Sequence, residues 1–209
     1  MPRLNIPATK INLIRIRDEL VLAQEGYDLL EQKRQVLIME VMRLVDNLRK
    51  ERQEVERLLR EAYERLIRAE VEVGEQQVLR AGLSGSSGIE IALRERSVMG
   101  IIIPVVDTTE SDFRPSYSFA DTTSAVDEAA KAFHEALRHI ARLGELENAA
   151  FRLATELKKT QRRVNALSSF FIPQYKETVK FLQETLEERD RDALFALKRL
   201  KGKAETSEA

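Results

Sequence analysis

His134 and His139 stand five positions apart, whereas two imidazoles that share a metal from one helical face need a spacing of three or four. They read as surface or partner-facing side chains. The run Gly82-Leu83-Ser84-Gly85-Ser86-Ser87-Gly88 has the glycines of a phosphate loop, but such a loop continues with Lys and Ser or Thr at the head of a helix, and here Ile89-Glu90 follow. Its composition predicts a flexible connector. The carboxylates of Glu54 and Glu56, and of Glu187-Glu188, lie among arginines and lysines at helical spacing, the pattern of a solvated charged face and not of an acid–base pair. The chain has no cysteine, which removes disulfides, thiolate metal sites and thiol nucleophiles together and suits a reducing compartment. No nucleophile, base and oxyanion donor come together along the chain. It is expected to carry no catalytic, cofactor-binding or metal-binding residue and to be no enzyme by itself.

Basic residues offer a different chemistry. Lys158, Lys159, Arg162 and Arg163 form the densest cluster, and Lys198, Arg199, Lys201 and Lys203 a second. The second sits where a helix C-terminus is expected, and there cations oppose the negative end of the helix dipole. The first has no such local reason, so it reads either as an ordinary solvated face or as a contact for an acidic partner surface. Across the chain, 34 Lys plus Arg balance 35 Asp plus Glu, which argues against nucleic acid as the main partner.

The elements that must position these side chains are long helices. In 209 residues there are 8 Gly, 5 Pro and no Trp, thin material for a compact mixed core. From Thr9 the apolar positions step by three and four through Leu13, Ile16, Leu20, Ala23, Tyr27, Leu30, Leu37, Val41, Leu44, Leu48, Val55, Leu58 and Ala62, with Arg34 and Glu51 as polar exceptions. A period of roughly 3.5 held so long is a coiled-coil seam. Thr9 is the expected N-cap and Gly74 the stop. At 1.5 Å per residue, a helix from 10 to 73 is on the order of 95 Å long.

A second seam starts after Asp121 and Thr122, either of which is a candidate cap. It runs through Val126, Ala129, Phe133, Ala136, Ile140 and Leu143, then from Leu146 to Phe171, then from Tyr175 through Leu186 to Ala193, Leu197 and Leu200. Phase slips fall beside Gly144 and near Pro173, and Pro173 predicts a kink near residue 170. The alanines between Ala125 and Ala154 suit either a narrow seam or a docking face. Between the seams, Ile89, Ile91 and Leu93 alternate with polar residues, and Ile101-Ile102-Ile103-Pro104-Val105-Val106 follows. These predict a β-hairpin turning within 96–100, with Pro104 on a sheet edge.

The expected fold is mainly α: a long antiparallel two-helix coiled coil of N- and C-terminal helices with a small β-hairpin insert. The division is one elongated domain, 1–209, with a helix over 9–73, a connector over 74–121 holding the hairpin at about 89–106, a helix over 122–201 and a disordered tail over 202–209. Pairing the helices end to end would set Thr9 near Leu200, Leu30 near Val179 and Val41 near Leu167. No apolar run approaches the roughly 20 residues that span a bilayer, and no signal peptide is recognised at the N-terminus. A cytoplasmic chain without direct membrane insertion is expected.

Several blocks resemble one family. Thr160-Gln161-Arg162-Arg163-Val164-Asn165-Ala166-Leu167, Ile172-Pro173, Leu186-Glu187-Glu188-Arg189 and Lys198-Arg199-Leu200-Lys201 are similar to the C-terminal signature of the D subunits of V-type and A-type ATPases and ATP synthases. Thr9-Lys10 with Leu13, the run from Gly26 to Arg34, and Ser97-Val98-Met99-Gly100 followed by Pro104 resemble that family's N-terminal and hairpin patterns. Ala8 departs from it, because the family has Pro directly before the Thr. The resemblance implies a central rotor shaft inside the hexamer of A and B subunits, binding the small F subunit and resting on the adaptor (C or d) above the membrane ring. It implies a peripheral place at the membrane and a hairpin associated with control of ATPase activity. Within that picture Lys159, Arg162 and Arg163 are the expected partner-binding residues, toward the collar or cavity of the hexamer. The rival readings are a non-rotary coiled-coil adaptor or self-associating scaffold and, against the charge balance, a helical RNA-binding arm.

Overall fold

A computed structural model describes residues 3–84, 89–109, 115, 117–118 and 122–207. Its elements are α1 (Lys10–Val73), α2 (Glu75–Ser84), β1 (Glu90–Val98), β2 (Ile101–Thr109), α3 (Ser124–Ala166), a π turn (Leu167–Phe171) and α4 (Ile172–Ser207). The fold is mainly helical with one antiparallel hairpin. The chain divides into two compact units, Met1–Gln35 with Lys158–Ala209, and Val36–Leu157.

In the first unit, α1 starts where its cap requires: the Asn12 N–H donates to Thr9 Oγ1 at 3.2 Å and the Leu13 N–H to the Thr9 carbonyl at 3.0 Å. The segment ahead of it is tied to α4. The Leu4 N–H donates to Thr178 Oγ1 at 3.1 Å, and Arg189 Nη1 donates to the Ala8 carbonyl at 2.8 Å. Ala8, Ile16 and Leu182 form the core, flanked by Leu13, Tyr175 and Val179. Lys10 meets Asp190 and Arg34 meets Gln161, so the helices run antiparallel. Their register differs from the end-to-end expectation, which puts Thr9 near Leu200 and Leu30 near Val179. A periodic seam can slip by whole heptads without losing its apolar match, so polar pairs such as Arg34 with Gln161 must choose among registers.

One consequence is that, among the described residues, the seam positions Ala193 and Leu197 are left uncovered. Ala193 and Leu197, expected as seam residues, are exposed, as are Leu194 and Phe195. Helix α4 itself continues to Ser207, beyond the expected end at 201. Residues 208 and 209 of the expected tail lie outside the described residues. At the site of the expected kink the helix takes a π turn, with the Ile172 N–H donating to the Leu167 carbonyl five residues back. The wider turn lies just ahead of Pro173, which has no N–H to continue the ladder.

In the second unit, Leu37, Ile103, Ala149 and Leu153 make one core, packed by Val41, Leu44, Val98, Ile101 and Leu157. Val41 therefore packs in a cluster with Ala149 and Leu153 and not near Leu167 as expected. Further along, Val55, Leu58 and Ala62 are buried on α1 and Val126, Ala129, Ala132 and Ala136 on α3. The alanine stretch is thus a narrow seam. Tyr63 and Phe133 meet edge to face, ring centroids 5.3 Å apart.

Gly74 ends α1 with φ +96°, its N–H donating to the Glu70 carbonyl at 2.9 Å. The left-handed backbone needs glycine there, and an added Cβ would meet Gln77 Oε1 at 3.0 Å. The chain then forms α2, a helix the sequence reading does not contain. Gly82, Leu83 and Ser84 of the expected connector are its last residues, while 85–88 lie outside the described residues. Ala69, Ala81, Ala125 and Val126 close a second core with Val73, Val78 and Tyr117. Neither Asp121 nor Thr122 directly precedes α3: the helix begins at Ser124, after Thr123. Asp121 lies outside the described residues, and the Thr122 hydroxyl instead donates to the Ser118 carbonyl at 3.1 Å.

The Tyr117 hydroxyl donates to Asp127 in the first turn of α3. Burial first, then the neighbouring Asp127 carboxylate, raises the Tyr117 pKa above the ordinary phenol value. A phenol raised in the folded state stabilises fully below the unfolded value of about 10, and that contribution is lost as pH rises through the higher folded value. The stability gap between the wild type and Tyr117→Phe should therefore be constant from pH 7 to 9 and shrink above pH about 10. Urea titrations across that range check it, and a gap that stays constant into strong alkali would contradict the assignment.

The hairpin pairs Glu90 with Thr109 through Val98 with Ile101. Its turn is narrower than expected: Met99 and Gly100 alone make it, at φ +53° and +80°, the double left-handed geometry that matches the twist of two strands. The second strand runs past the expected end at 106 to Thr109.

Candidate functional site

The three expected partner-binding residues lie in the first unit on α3. Lys159, Arg162 and Arg163 are all exposed, as is Lys158. Their orientation follows from their neighbours. Thr160 and Val164, one turn apart, are buried, so at about 100° per residue Lys158, Lys159 and Arg162 fall on the opposite side of the helix and Arg163 at its flank. Gln161 is held from both directions: Arg34 Nη1 donates to its Oε1 at 3.0 Å and its Nε2 donates to Asn165 Oδ1 at 2.7 Å. The structure brings the basic residues together on one exposed helical surface.

Behind that surface sits the first polar exception in the seam. Arg34 pairs with Glu31 one turn earlier on α1 as well as with Gln161 across the helix pair. Both side chains are largely buried, and Glu31 Oε2 and Arg34 Nε have no hydrogen-bond partner among the described residues. A buried polar group of this kind lowers stability relative to an apolar seam but penalises every register in which its partner is displaced. The second exception, Glu51, plays the same part in the second unit. His139 Nδ1 is 2.7 Å from Glu51 Oε1, and Arg142 Nε lies 3.7 Å from its other oxygen. His139 is therefore not the surface or partner-facing imidazole expected from the sequence. It is half-buried against α1, and His134 is likewise half-buried. The signal was present as two interruptions of an apolar pattern, but their partners lie on a distant stretch of chain.

The other charged residues singled out in the sequence lie on solvated faces. The Arg57 guanidinium bridges Glu54 and Glu61 on one exposed side of α1, and its hydrogen bond holds the Glu54 carboxyl below the usual range. Glu187 and Glu188 are exposed, as are Lys198 and Arg199, while the side chains of Lys201 and Lys203 lie outside the described residues. Among the described residues no group of three or more His, Asp or Glu side chains could hold a metal ion, and no helix is long and apolar enough to cross a membrane.

The chain matches the family model of the ATP synthase D subunit over residues 12–202. It is 37% identical to the D subunit of the A-type ATP synthase of Pyrococcus furiosus over 209 residues, covering 99% of this chain and 98% of that protein. It is 39% identical to the D subunit of the V-type ATP synthase of Thermotoga neapolitana, covering 96% and 98%. Against the D subunit of the A-type ATP synthase of Methanopyrus kandleri the identity is 36%, covering 94% and 86%. With matches of this extent through both helical seams and the hairpin between them, the chain belongs to the family of ATP synthase D subunits.

Proposed function

We propose that this chain is the central-stalk rotor of a V/A-type rotary ATPase or ATP synthase, transmitting torque between an ion-driven membrane ring and a catalytic A/B hexamer. In this reading it is non-catalytic: ATP is made or hydrolysed on the A and B subunits, and the chain binds them together with the F subunit and the ring adaptor (C/d). Its place is peripheral to the membrane, on the cytoplasmic side, and it needs no cofactor. The observation that carries the reading is the polar pinning of the antiparallel seam in each unit, at Arg34 with Gln161 and at Glu51 with His139. A shaft under torque must not slide along its own seam, and apolar heptads alone resist sliding poorly. Lys159, Arg162 and Arg163 serve as its contact with the surrounding hexamer.

Native mass measurement of the complex purified through this chain tests the reading. The expected result is one copy of the chain per hexamer of A and B subunits, with the F subunit present. Several copies of the chain in a particle lacking A and B would instead identify a self-associating scaffold.

A further inference from the structure

Residues 3–9, ahead of α1, pack against α4 with a period of two. Leu4, Ile6 and Ala8 join the core of the first unit with Ile16 and Leu182, while Arg3, Asn5, Pro7 and Thr9 are exposed. Every second side chain turns inward, the pattern of a strand-like segment laid on an apolar surface. Its backbone is tied to both helices. On the α4 side, the Leu4 N–H donates to Thr178 Oγ1 at 3.1 Å and Arg189 Nη1 donates to the Ala8 carbonyl at 2.8 Å. On the α1 side, Asn12 Nδ2 donates to the Pro7 carbonyl at 2.9 Å. The Arg3 guanidinium lies 3.9 Å from the centre of the Phe181 ring, within the range of a cation–π contact.

Thr178 is 0% exposed, and its hydroxyl already donates to the Gln174 carbonyl one turn back at 2.7 Å. An apolar residue of the same shape would fill the seam without that bond, so what the oxygen adds is an acceptor for the Leu4 N–H. The fastening falls where the helix pair ends in a step. Helix α1 starts beside Asp190, which Lys10 meets at 3.5 Å, but α4 runs on to Ser207, and its residues 191–199 are exposed. Any load on the protruding helix concentrates at the last paired turn, where the first N–H groups of α1 have no partner within the helix and the end frays most readily.

We propose that residues 3–9 are a splice that binds the first turns of α1 to α4, so that load applied to the protruding end of α4 passes into both helices. The load-bearing part rests on the rotor reading above; the splice itself does not. Without it, twisting α4 would peel the helices apart from Lys10 onward, and the end of the shaft would yield as a single helix. Thr178 and Arg189 are positioning residues in this device, acting on the backbone of the splice and on no substrate.

Amide hydrogen exchange on the full-length chain, followed by bead rotation in the assembled complex, tests it with the double variant Thr178→Val/Arg189→Ala. Amides from Ile14 to Leu20 are expected to exchange at least tenfold faster while those over 36–157 keep wild-type rates. Torque, read from the speed of a large bead carried by the chain in a fixed A/B hexamer, is expected to fall at least twofold. Arg189→Lys, which keeps a donor for the Ala8 carbonyl, should exchange as wild type when Thr178 is intact, and exchange as fast as in the double variant would overturn the part given to that bond. Unchanged exchange over 14–20 in the double variant would overturn the splice. Faster exchange with unchanged torque would overturn the sharing of load. Should the double variant lose protection over 36–157 as well, Arg189→Ala alone is read in its place, with faster exchange over 14–20 expected and wild-type exchange there overturning the splice. A wild-type chain that fails to assemble with A and B subunits would refute the rotor reading and leave the exchange result standing.

Discussion

Leu153→Ala is expected to lower the unfolding free energy of the second unit by about 2–5 kcal/mol, the range for truncating a fully buried leucine. Leu153 is 0% exposed, in the cluster that joins α1, α3 and β2 through Leu37, Ala149 and Ile103. The substitution removes apolar contacts to each of those elements, and helices held from several sides cannot collapse fully into the space left behind. The contrast is Phe151→Ala, two positions away and 74% exposed, which should change stability by no more than about 0.5 kcal/mol. Urea denaturation followed by circular dichroism measures both. A loss below about 1 kcal/mol for Leu153→Ala, or equal losses for the two, would show that this cluster is not the core of the unit.

Lys159→Glu/Arg162→Glu/Arg163→Glu is expected to weaken association with the A/B hexamer by tenfold or more, since placing like charges against a complementary surface costs several kcal/mol. The three side chains are exposed, Lys159 and Arg162 opposite buried Thr160 and Val164 and Arg163 at the flank, so helicity and melting temperature should stay close to wild type. Titration of the hexamer with wild-type and variant chains at two salt concentrations gives the comparison. The defect should shrink at higher salt, because screening weakens exposed charge pairs. Wild-type affinity and coupling in the triple variant would remove these residues from the interface and leave their clustering a feature of a solvated helix.

Much of the fold was legible because a seam imposes a period. Each position from Leu13 to Ala62 picked from the three-four rhythm, including the polar exceptions Arg34 and Glu51, is buried or half-buried. So are most of those from Val126 to Leu186, with Ile140 and Phe171 the exposed departures. The first helix ends at Val73 because Gly74 must take a left-handed backbone, and that too can be read from residue type.

Register could not be read in the same way. Periodicity says which face of a helix is covered and not which residue covers it, so Gln161 opposite Arg34 and His139 opposite Glu51 emerged only from the three-dimensional arrangement. For the same reason Ala193 and Leu197 keep the rhythm yet have no cover among the described residues. Helix α2 was hidden because the glycines and serines from Gly82 onward dominated the reading of a segment whose first residues, Glu75-Gln76-Gln77, are good helix formers. Charge density points to the exposure of the basic surface at 158–163, but not to the Arg34–Gln161 contact behind it.

The central claim is mechanical, and direct observation of rotation tests it. The chain has no native cysteine, so Gln76→Cys on the exposed side of α2 gives a single attachment point for a bead, with the A/B hexamer fixed to a surface. On adding ATP the bead should turn continuously in one direction, in steps that follow the three-fold order of the hexamer. A chain that binds the hexamer in a one-to-one complex and stays still while ATP is hydrolysed would contradict the account.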